Sequence, residues 1–389
     1  MARVLIYSHD SFGLGHIRRC LAIAGALTAE FADLQVLVLS GSPLIGRFDF
    51  PERVDFVSVP GVVKQKDGGY VSRDPSEPIA ETIAMRAEII RHTAEIFAPD
   101  LFLVDKEPLG LRGEVTDTLH FLKSRGTRLV LGLRDILDDP KLLAAEWRRK
   151  KALAAVEVLY DEIWVFGLEQ IWDPLTGIAA SPQARARLRF TGYLDRRTVT
   201  SDEKNSRILV TPGGGGDGTA LIDWVLSAYE QASADLPPAA ILFGPFMPPS
   251  AQETFGARAA ALPQLETCVF SPHVETLLAE ASGMVAMGGY NTFAEILSYD
   301  LPALLVPREE PRREQRLRAE RAVELGLTRA LYDDGTRDPG AMAEAIRALA
   351  SQPRPSSAAI PGLLDGLTET CRLAAPWIGR TDAEKRSFG

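Results

Sequence analysis

His16 is the residue of this chain best placed to move a proton. It closes the run His9-Asp10-Ser11-Phe12-Gly13-Leu14-Gly15-His16, which follows an apolar stretch at 3–8 and leads into Ile17-Arg18-Arg19-Cys20. Strand, glycine turn and helix in that order gather backbone N–H groups and the positive end of a helix around one point, where an anion can be held. At such a helix start the dipole disfavours the imidazolium, so the ring stays neutral near pH 7 and can accept a proton. The other reading of His16 is a helix-entry residue that orders the turn or touches a phosphate. Asp10 and Asp105 each follow an apolar run and so fall at the carboxyl edge where open α/β sheets bind ligands; either can orient His16. The alternatives are a turn residue at Asp10 and a loop acid paired with Lys106 at Asp105. Gly13, Gly15, Arg18, Arg134 and Asp135 reach the same edge, to meet a substrate or, for Arg134 and Asp135, to pair structurally.

A second turn of the same kind lies in the other half of the chain, where Gly283-Met284-Val285-Ala286-Met287 runs into Gly288-Gly289-Tyr290-Asn291-Thr292-Phe293-Ala294-Glu295. Gly288, Gly289, Asn291 and Thr292 can present N–H groups to a phosphate; the alternative is an ordinary turn that needs glycine's backbone freedom. Thr292-x-x-Glu295 also satisfies the capping-box pattern, which would tie Glu295 to the helix start. A third glycine run, Gly213-Gly214-Gly215-Gly216-Asp217-Gly218, allows close approach of backbone to a ligand or forms a flexible turn. The polar loop at 64–70 can gate a substrate or merely be mobile.

Positioning these residues calls for parallel sheets. Apolar runs alternate with helical patterns, with strands expected at 4–8, 35–40, 54–58, 101–104, 128–133, 162–166 and 190–194 and helices at 16–30, 79–97, 113–125 and 141–160. A polar stretch at 196–206 reads as a linker. Strands at 208–211, 240–243, 267–270, 284–287, 303–306 and 328–331 follow, with helices at 221–232, 340–350 and 362–375. The expected domains are 1–195 and 207–375, with a tail at 376–389.

Composition narrows the function. The 389 residues are 46% hydrophobic and 24% charged, enough for two cores. A net charge of −9 argues against a nucleic-acid coat. Cys20, Cys268 and Cys371 are too few and too scattered for a disulfide framework or a zinc module, and fit a reducing cytoplasm. No signal-peptide core and no membrane-spanning apolar run is visible. The basic segment 141–158, with Arg148-Arg149-Lys150-Lys151, leaves peripheral contact with anionic lipid open beside a solvated helix face.

The pieces Phe270-Ser271-Pro272-His273, Leu277-Leu278, Gly288 to Thr292, Glu295, Leu301-Pro302-Ala303 and Val306-Pro307 resemble, in their order, the donor-binding half of the MurG-like GT-B glycosyltransferases, with a glycosyltransferase family 28 C-terminal domain. Gly13-Leu14-Gly15-His16 resembles the loop that opens the acceptor domain of that branch. Together with Leu129-Val130-Leu131-Gly132-Leu133-Arg134-Asp135-Ile136-Leu137-Asp138, it is similar to a bacterial group of predicted glycosyltransferases. The resemblance implies an α/β fold of GT-B architecture, two Rossmann-like doubly wound parallel-sheet domains facing a cleft, acceptor side first. It implies an inverting hexosyltransferase that passes a sugar from a nucleotide sugar, a UDP-sugar by expectation, to a hydroxyl acceptor. His16 is then the base. Gly214, Gly215, Gly216, Gly288, Gly289, Tyr290, Asn291 and Thr292 lie at the donor, Glu295 on the ribose, and Ser271, His273 and Val274 beside the nucleobase. Where the family carries paired glutamines this chain has Glu314-Gln315, so only Gln315 carries over. No Asp-x-Asp occurs and no metal-ligand spacing is evident, so neither metal nor other cofactor is expected. Gly13-Leu14-Gly15-His16-Ile17-Arg18-Arg19-Cys20 is also similar to the opening of the UDP-sugar hydrolases of the pseudaminic-acid pathway, which use water as acceptor. A GT-B-shaped epimerase and a non-catalytic nucleotide-sugar-binding protein are the remaining readings.

Overall fold

The computed structural model describes residues 1–9, 15–65, 69–201, 205–214, 216–271 and 273–378. Asp10, Gly13, Gly215, Pro272, part of the polar loop and the end of the expected tail therefore lie outside the described residues. The chain forms two compact units, Met1–Leu194 with Asp365–Gly389, and Asp195–Leu364.

In the first unit, strands β1 (Ala2–Ser8), β2 (Leu34–Ser40) and β3 (Val54–Ser58) are followed by a short antiparallel hairpin, β4 (Val62–Lys64) with β5 (Tyr70–Ser72). Then come β6 (Leu101–Asp105), β7 (Arg128–Arg134), β8 (Glu162–Phe166) and β9 (Leu188–Phe190). Hairpin aside, they form one parallel sheet ordered β3-β2-β1-β6-β7-β8-β9. Strands covered on both faces read as continuous apolar runs, and every residue of β6 is buried. The Ile79–Phe97 helix turns Thr82, Arg86, Ile90 and Ala94 inward, four residues apart, onto a core that includes Leu5, Phe102 and Leu131.

The second unit repeats the plan. Strands β10 (Ile208–Thr211), β11 (Ala239–Leu242), β12 (Leu265–Cys268), β13 (Gly283–Ala286), β14 (Ala303–Leu305) and β15 (Arg329–Ala330) form a parallel sheet ordered β12-β11-β10-β13-β14-β15. Its core includes Val210, Ile241, Val285 and Leu304. In both sheets the order reverses beside the first strand, between β1 and β6 and between β10 and β13. Ligands of open α/β sheets bind beyond the strand ends at that reversal.

Five expectations change. The hairpin β4–β5 occupies the margins of the supposed polar loop, joined by Gln65 N–H donating to Gly69 O at 2.8 Å. The helix expected over 141–160 is two helices, Pro140–Arg149 and Ala152–Leu159, because Lys151 takes a left-handed φ of 54° between them. The last strand of the first sheet ends at Phe190, where the expected one begins. Finally, the Gly366–Ile378 helix belongs to the first unit rather than the second. Gly366 N–H donates to Tyr193 O at 3.1 Å, Leu194 bridges to Asp365, and Trp377 lies under the Arg128 guanidinium at 4.1 Å. A Cβ on Gly366 would meet Tyr193 O at 2.5 Å, so this return of the chain requires glycine. The stretch read as a linker starts inside the second unit: Arg196 N–H donates to Ser298 Oγ at 2.8 Å.

Candidate active site

The ladder that sets Tyr7 beside Val104 brings the ends of β1 and β6 together, and with them the start of the Gly15–Glu30 helix. His16, its second residue, hydrogen-bonds through Nδ1 to Asp105 Oδ2. Arg19, one turn further on, donates to Asp105 Oδ1 from Nε at 2.8 Å and from Nη2 at 2.5 Å. Its Nη2 also lies 3.0 Å from His16 Nδ1. One ring nitrogen cannot both donate to Asp105 and accept from Arg19. The carboxylate is the stronger acceptor, so the hydrogen sits on Nδ1 and the lone pair is left on Nε2.

Side-chain exposure falls from 16% at His16 to 3% at Asp105 and 2% at Arg19. Burial pushes the His16 imidazole down, Asp105 pulls it up, and Arg19 pushes it down again, to about 4. Burial alone would raise the Asp105 carboxyl, but Arg19 and His16 outweigh it and hold it far below the usual carboxylate range. The result is a neutral imidazole whose Nε2 carries the lone pair, backed by a carboxylate whose charge a guanidinium balances. That arrangement suits a general base.

Lys106 pairs with Glu107, at 3.8 Å, rather than answering the expectation of an Asp105–Lys106 pair. Glu107 also accepts from Lys150 Nζ at 2.8 Å. His9, buried at the end of β1, meets the His16 ring edge-on at 5.8 Å between centroids. Burial first, then Lys106, lowers its proton affinity strongly. Gly15 and Arg18 are partly buried on the same helix start, and Arg134 is partly buried where β7 ends. Asp135 is fully buried and accepts from Tyr193 OH at 2.7 Å.

In the second unit the Gly288–Gly289 turn leads from β13 into the Tyr290–Ser298 helix. Gly288 takes φ 77°, and a Cβ there would press on Leu305 at 3.3 Å. The helix is capped by Gly289 with no side-chain cap bond, which puts Thr292 at the third helical position and Glu295 at the sixth. The capping-box alternative is thereby excluded. The first backbone N–H groups of an α-helix have no intrahelical acceptor, and the end of the helix where they lie is the one that suits an anion. Glu295, Thr292 and the Tyr290 ring are buried, with the Arg318 guanidinium 6.0 Å from the ring centroid.

Neighbouring elements converge on this turn. A Cβ on Gly213, in the loop after β10, would lie 3.7 Å from Thr292 Oγ1, so the two glycine loops are adjacent. Gly214 and Gly216 are exposed on the same loop. Gln315 accepts from Arg308 N–H at 3.1 Å, and its Nε2 is the nearest atom, 3.9 Å away, to a Cβ built on Gly289. Arg318, fully buried, donates to Gly288 O at 3.0 Å, and Arg196 donates to Asn291 Oδ1 at 2.9 Å. Ser271, His273 and Val274 follow the edge strand β12, three strand spacings or about 14 Å from β13. Ser271 Oγ accepts from His273 N–H at 3.2 Å, and the His273 side chain is exposed.

Arg19, His9, Arg196 and Arg318 escaped the sequence reading as site residues. Arg19 stands three residues after His16 and Arg318 three after Gln315, a spacing that shares a helix face. Arg196 gave no signal, because it lies in a polar stretch far from Asn291 in sequence. Among the described residues no three His, Cys, Asp or Glu side chains gather as a metal site requires, and no helix is long and apolar enough to cross a membrane.

Residues 214–360 match the family model of the glycosyltransferase family 28 C-terminal domain. No curated protein matches the chain. Among solved structures, MurG of Acinetobacter baumannii aligns at TM-score 0.61 and 13% identity, over 97% of this chain and 100% of that one. UGT71G1 of Medicago truncatula, complexed with UDP-glucose, aligns at TM-score 0.61 and 14% identity, over 97% and 98%. A UGT transferase of Siraitia grosvenorii in complex with UDP aligns at TM-score 0.60 and 15% identity, over 100% and 98%. At these identities the likeness is one of fold, the two Rossmann-like domains of GT-B enzymes.

Proposed function

We propose that this chain, whose residues 214–360 match the glycosyltransferase family 28 C-terminal domain and whose fold is that of the MurG-like GT-B enzymes, is a glycosyltransferase that moves a hexose from a UDP-sugar to a hydroxyl acceptor, with inversion and without a metal. The observation that carries this reading is the His16–Asp105–Arg19 chain of hydrogen bonds. Inversion is a single displacement, in which a base takes the acceptor proton as the nucleoside diphosphate departs. His16 Nε2 is that base. Asp105 keeps the hydrogen on Nδ1 and offsets the positive charge that the ring acquires; Arg19 holds Asp105 in place. Gly15, Arg18 and Arg134 lie on the acceptor side.

The departing diphosphate gains negative charge and needs fixed donors. The start of the Tyr290–Ser298 helix supplies them through its backbone and its dipole, with the Arg196 guanidinium beside Asn291. Glu295 is assigned to the ribose, Ser271, His273 and Val274 to the nucleobase, and Gln315 to sugar hydroxyls. The UDP and UDP-glucose bound in two of the structural neighbours support a uridine donor. The absence of Asp-x-Asp from the sequence supports metal-free departure. Nucleotide-sugar chemistry and three scattered cysteines accord with a cytoplasmic site of action, with peripheral membrane contact through the basic Pro140–Arg149 helix.

A thermal-shift panel of nucleoside diphosphates and nucleotide sugars, run with and without EDTA, tests the donor half. Selective stabilisation by uridine nucleotides that survives EDTA is the expected result. No stabilisation by any nucleotide defeats the proposal. His16→Ala should keep that stabilisation and lose UDP release.

A further inference from the structure

His9 is a buried polar side chain whose ring the surrounding fold leaves without a partner. It directly follows β1 and is 5% exposed, with its ring 5.8 Å from that of His16 and 6.4 Å from that of Tyr7, between centroids. That ring forms no hydrogen bond among the described residues. The groups around it are already committed. Tyr7 OH donates to Glu114 and accepts from Leu111 N–H at 3.2 Å. His16 Nδ1 is on Asp105, and Glu107 takes Lys150 at 2.8 Å and Lys106 at 3.8 Å. A polar group buried without a partner is costly, and such groups persist at sites whose ligand supplies the partner.

The charge state of the ring narrows what that partner is. Burial first, then Lys106 and more weakly His16, disfavour the imidazolium; Glu107 and Asp105 favour it and are outweighed. A neutral imidazole offers one N–H and one lone pair. A carboxylate or phosphate would use only the first and an ammonium only the second, whereas a hydroxyl both accepts and donates. Hydrogen bonds of about 2.8 Å from two rings in contact converge on oxygens of one small molecule. One of those oxygens is the hydroxyl whose proton goes to His16 Nε2.

We propose that His9 hydrogen-bonds a second hydroxyl of the acceptor, adjacent to the one that His16 deprotonates, so that the acceptor is a vicinal diol such as a sugar ring rather than a lone alcohol or phenol. The inference rests on the reading of His16 as base and adds the class of acceptor. A hydroxyl held by His9 stops the acceptor from turning and keeps the reacting oxygen on Nε2. A monohydric acceptor leaves the His9 ring buried without its partner, and the loss of one neutral hydrogen bond is worth roughly five-fold in affinity.

NMR of the full chain carrying isotope-labelled histidine, titrated with 1,2-cyclohexanediol, 1,4-cyclohexanediol and cyclohexanol, tests this, with the two ring signals assigned from His9→Phe and His16→Ala. All three probes should shift the His16 signals. Only 1,2-cyclohexanediol should also shift those of His9, and it should bind about five-fold tighter than the other two. In His9→Phe, which keeps a ring against His16 and removes both nitrogens, that preference should vanish. In His9→Gln, whose amide again donates and accepts, it should persist in part. Equal binding of the three probes to the wild type, or a preference that survives in His9→Phe, overturns the inference, leaves His16 as the base and gives His9 a packing role alone. Failure of every probe to move the His16 signals overturns the reading beneath it and the inference with it.

Discussion

His16 ties the stability of the first unit to pH in a way that can be worked out and measured without knowing the substrate. Its imidazole is held at about 4 in the fold, against about 6.5 in an unfolded chain. A group whose folded value is depressed contributes stability that is complete above the unfolded value and is lost as pH falls toward the folded one. Below pH 6.5 the unfolded chain takes up a proton that the folded chain refuses, until pH 4. The difference of about 2.5 units corresponds to about 3 kcal/mol lost between pH 7 and pH 4. Urea titrations followed by tryptophan fluorescence will read it, since Trp147, Trp164, Trp172 and Trp377 all lie in the first unit and only Trp224 in the second. His9 and the carboxylates add their own pH dependence, so the quantity to extract is wild type minus His16→Gln. The wild type should lose about 3 kcal/mol more than the variant across that window. Parallel curves for the two proteins from pH 7 to pH 4 would refute the claim that burial holds this ring neutral.

Asp105→Asn should destabilise the first unit by about 3–5 kcal/mol, because Arg19 is left buried without its anion. Adding Arg19→Met should recover most of that in denaturant titrations, yet leave UDP release down by 10²-fold or more, since the hydrogen on His16 is no longer directed to Nδ1; recovery of release would mean Asp105 matters only for folding. Gly366→Ala places a methyl 2.5 Å from Tyr193 O, and limited proteolysis should then cut at the Gly366–Ile378 helix while the second unit stays resistant. Arg318→Met removes the donor to Gly288 O, and UDP affinity should fall by about ten-fold at unchanged His16 chemistry; unaltered affinity would show that the turn holds its shape alone.

Much of this was legible because the two sheets are written as apolar runs that match their own burial. Val4 to Ser8 and the β6, β7 and β8 segments are continuous in sequence and enclosed on both faces. The turns at His16 and Gly288 were legible because glycine, helix start and strand end fall in fixed order. What escaped depends on contacts between distant segments. Nothing near Arg196 announces Asn291, and nothing in 362–375 announces β1. The helical pattern over 141–160 was real, but a pattern of apolar residues does not register a single left-handed residue at Lys151. Thr292-x-x-Glu295 fits a capping box in sequence, yet Gly289 starts the helix three residues earlier, so the pattern fell one turn inside it.

The passage of the chain out of the first unit at Leu194 and back at Asp365 makes the second unit an insertion. During synthesis the faces of β1 and of the Gly15–Glu30 helix that the Gly366–Ile378 helix covers stay open until the whole inserted unit has been made. At usual elongation rates that delay is on the order of ten seconds or more, long enough for the second unit to fold first. The N-terminal half, though translated first, is then the last to close, and nascent chains stalled before Asp365 should display its apolar surface to chaperones.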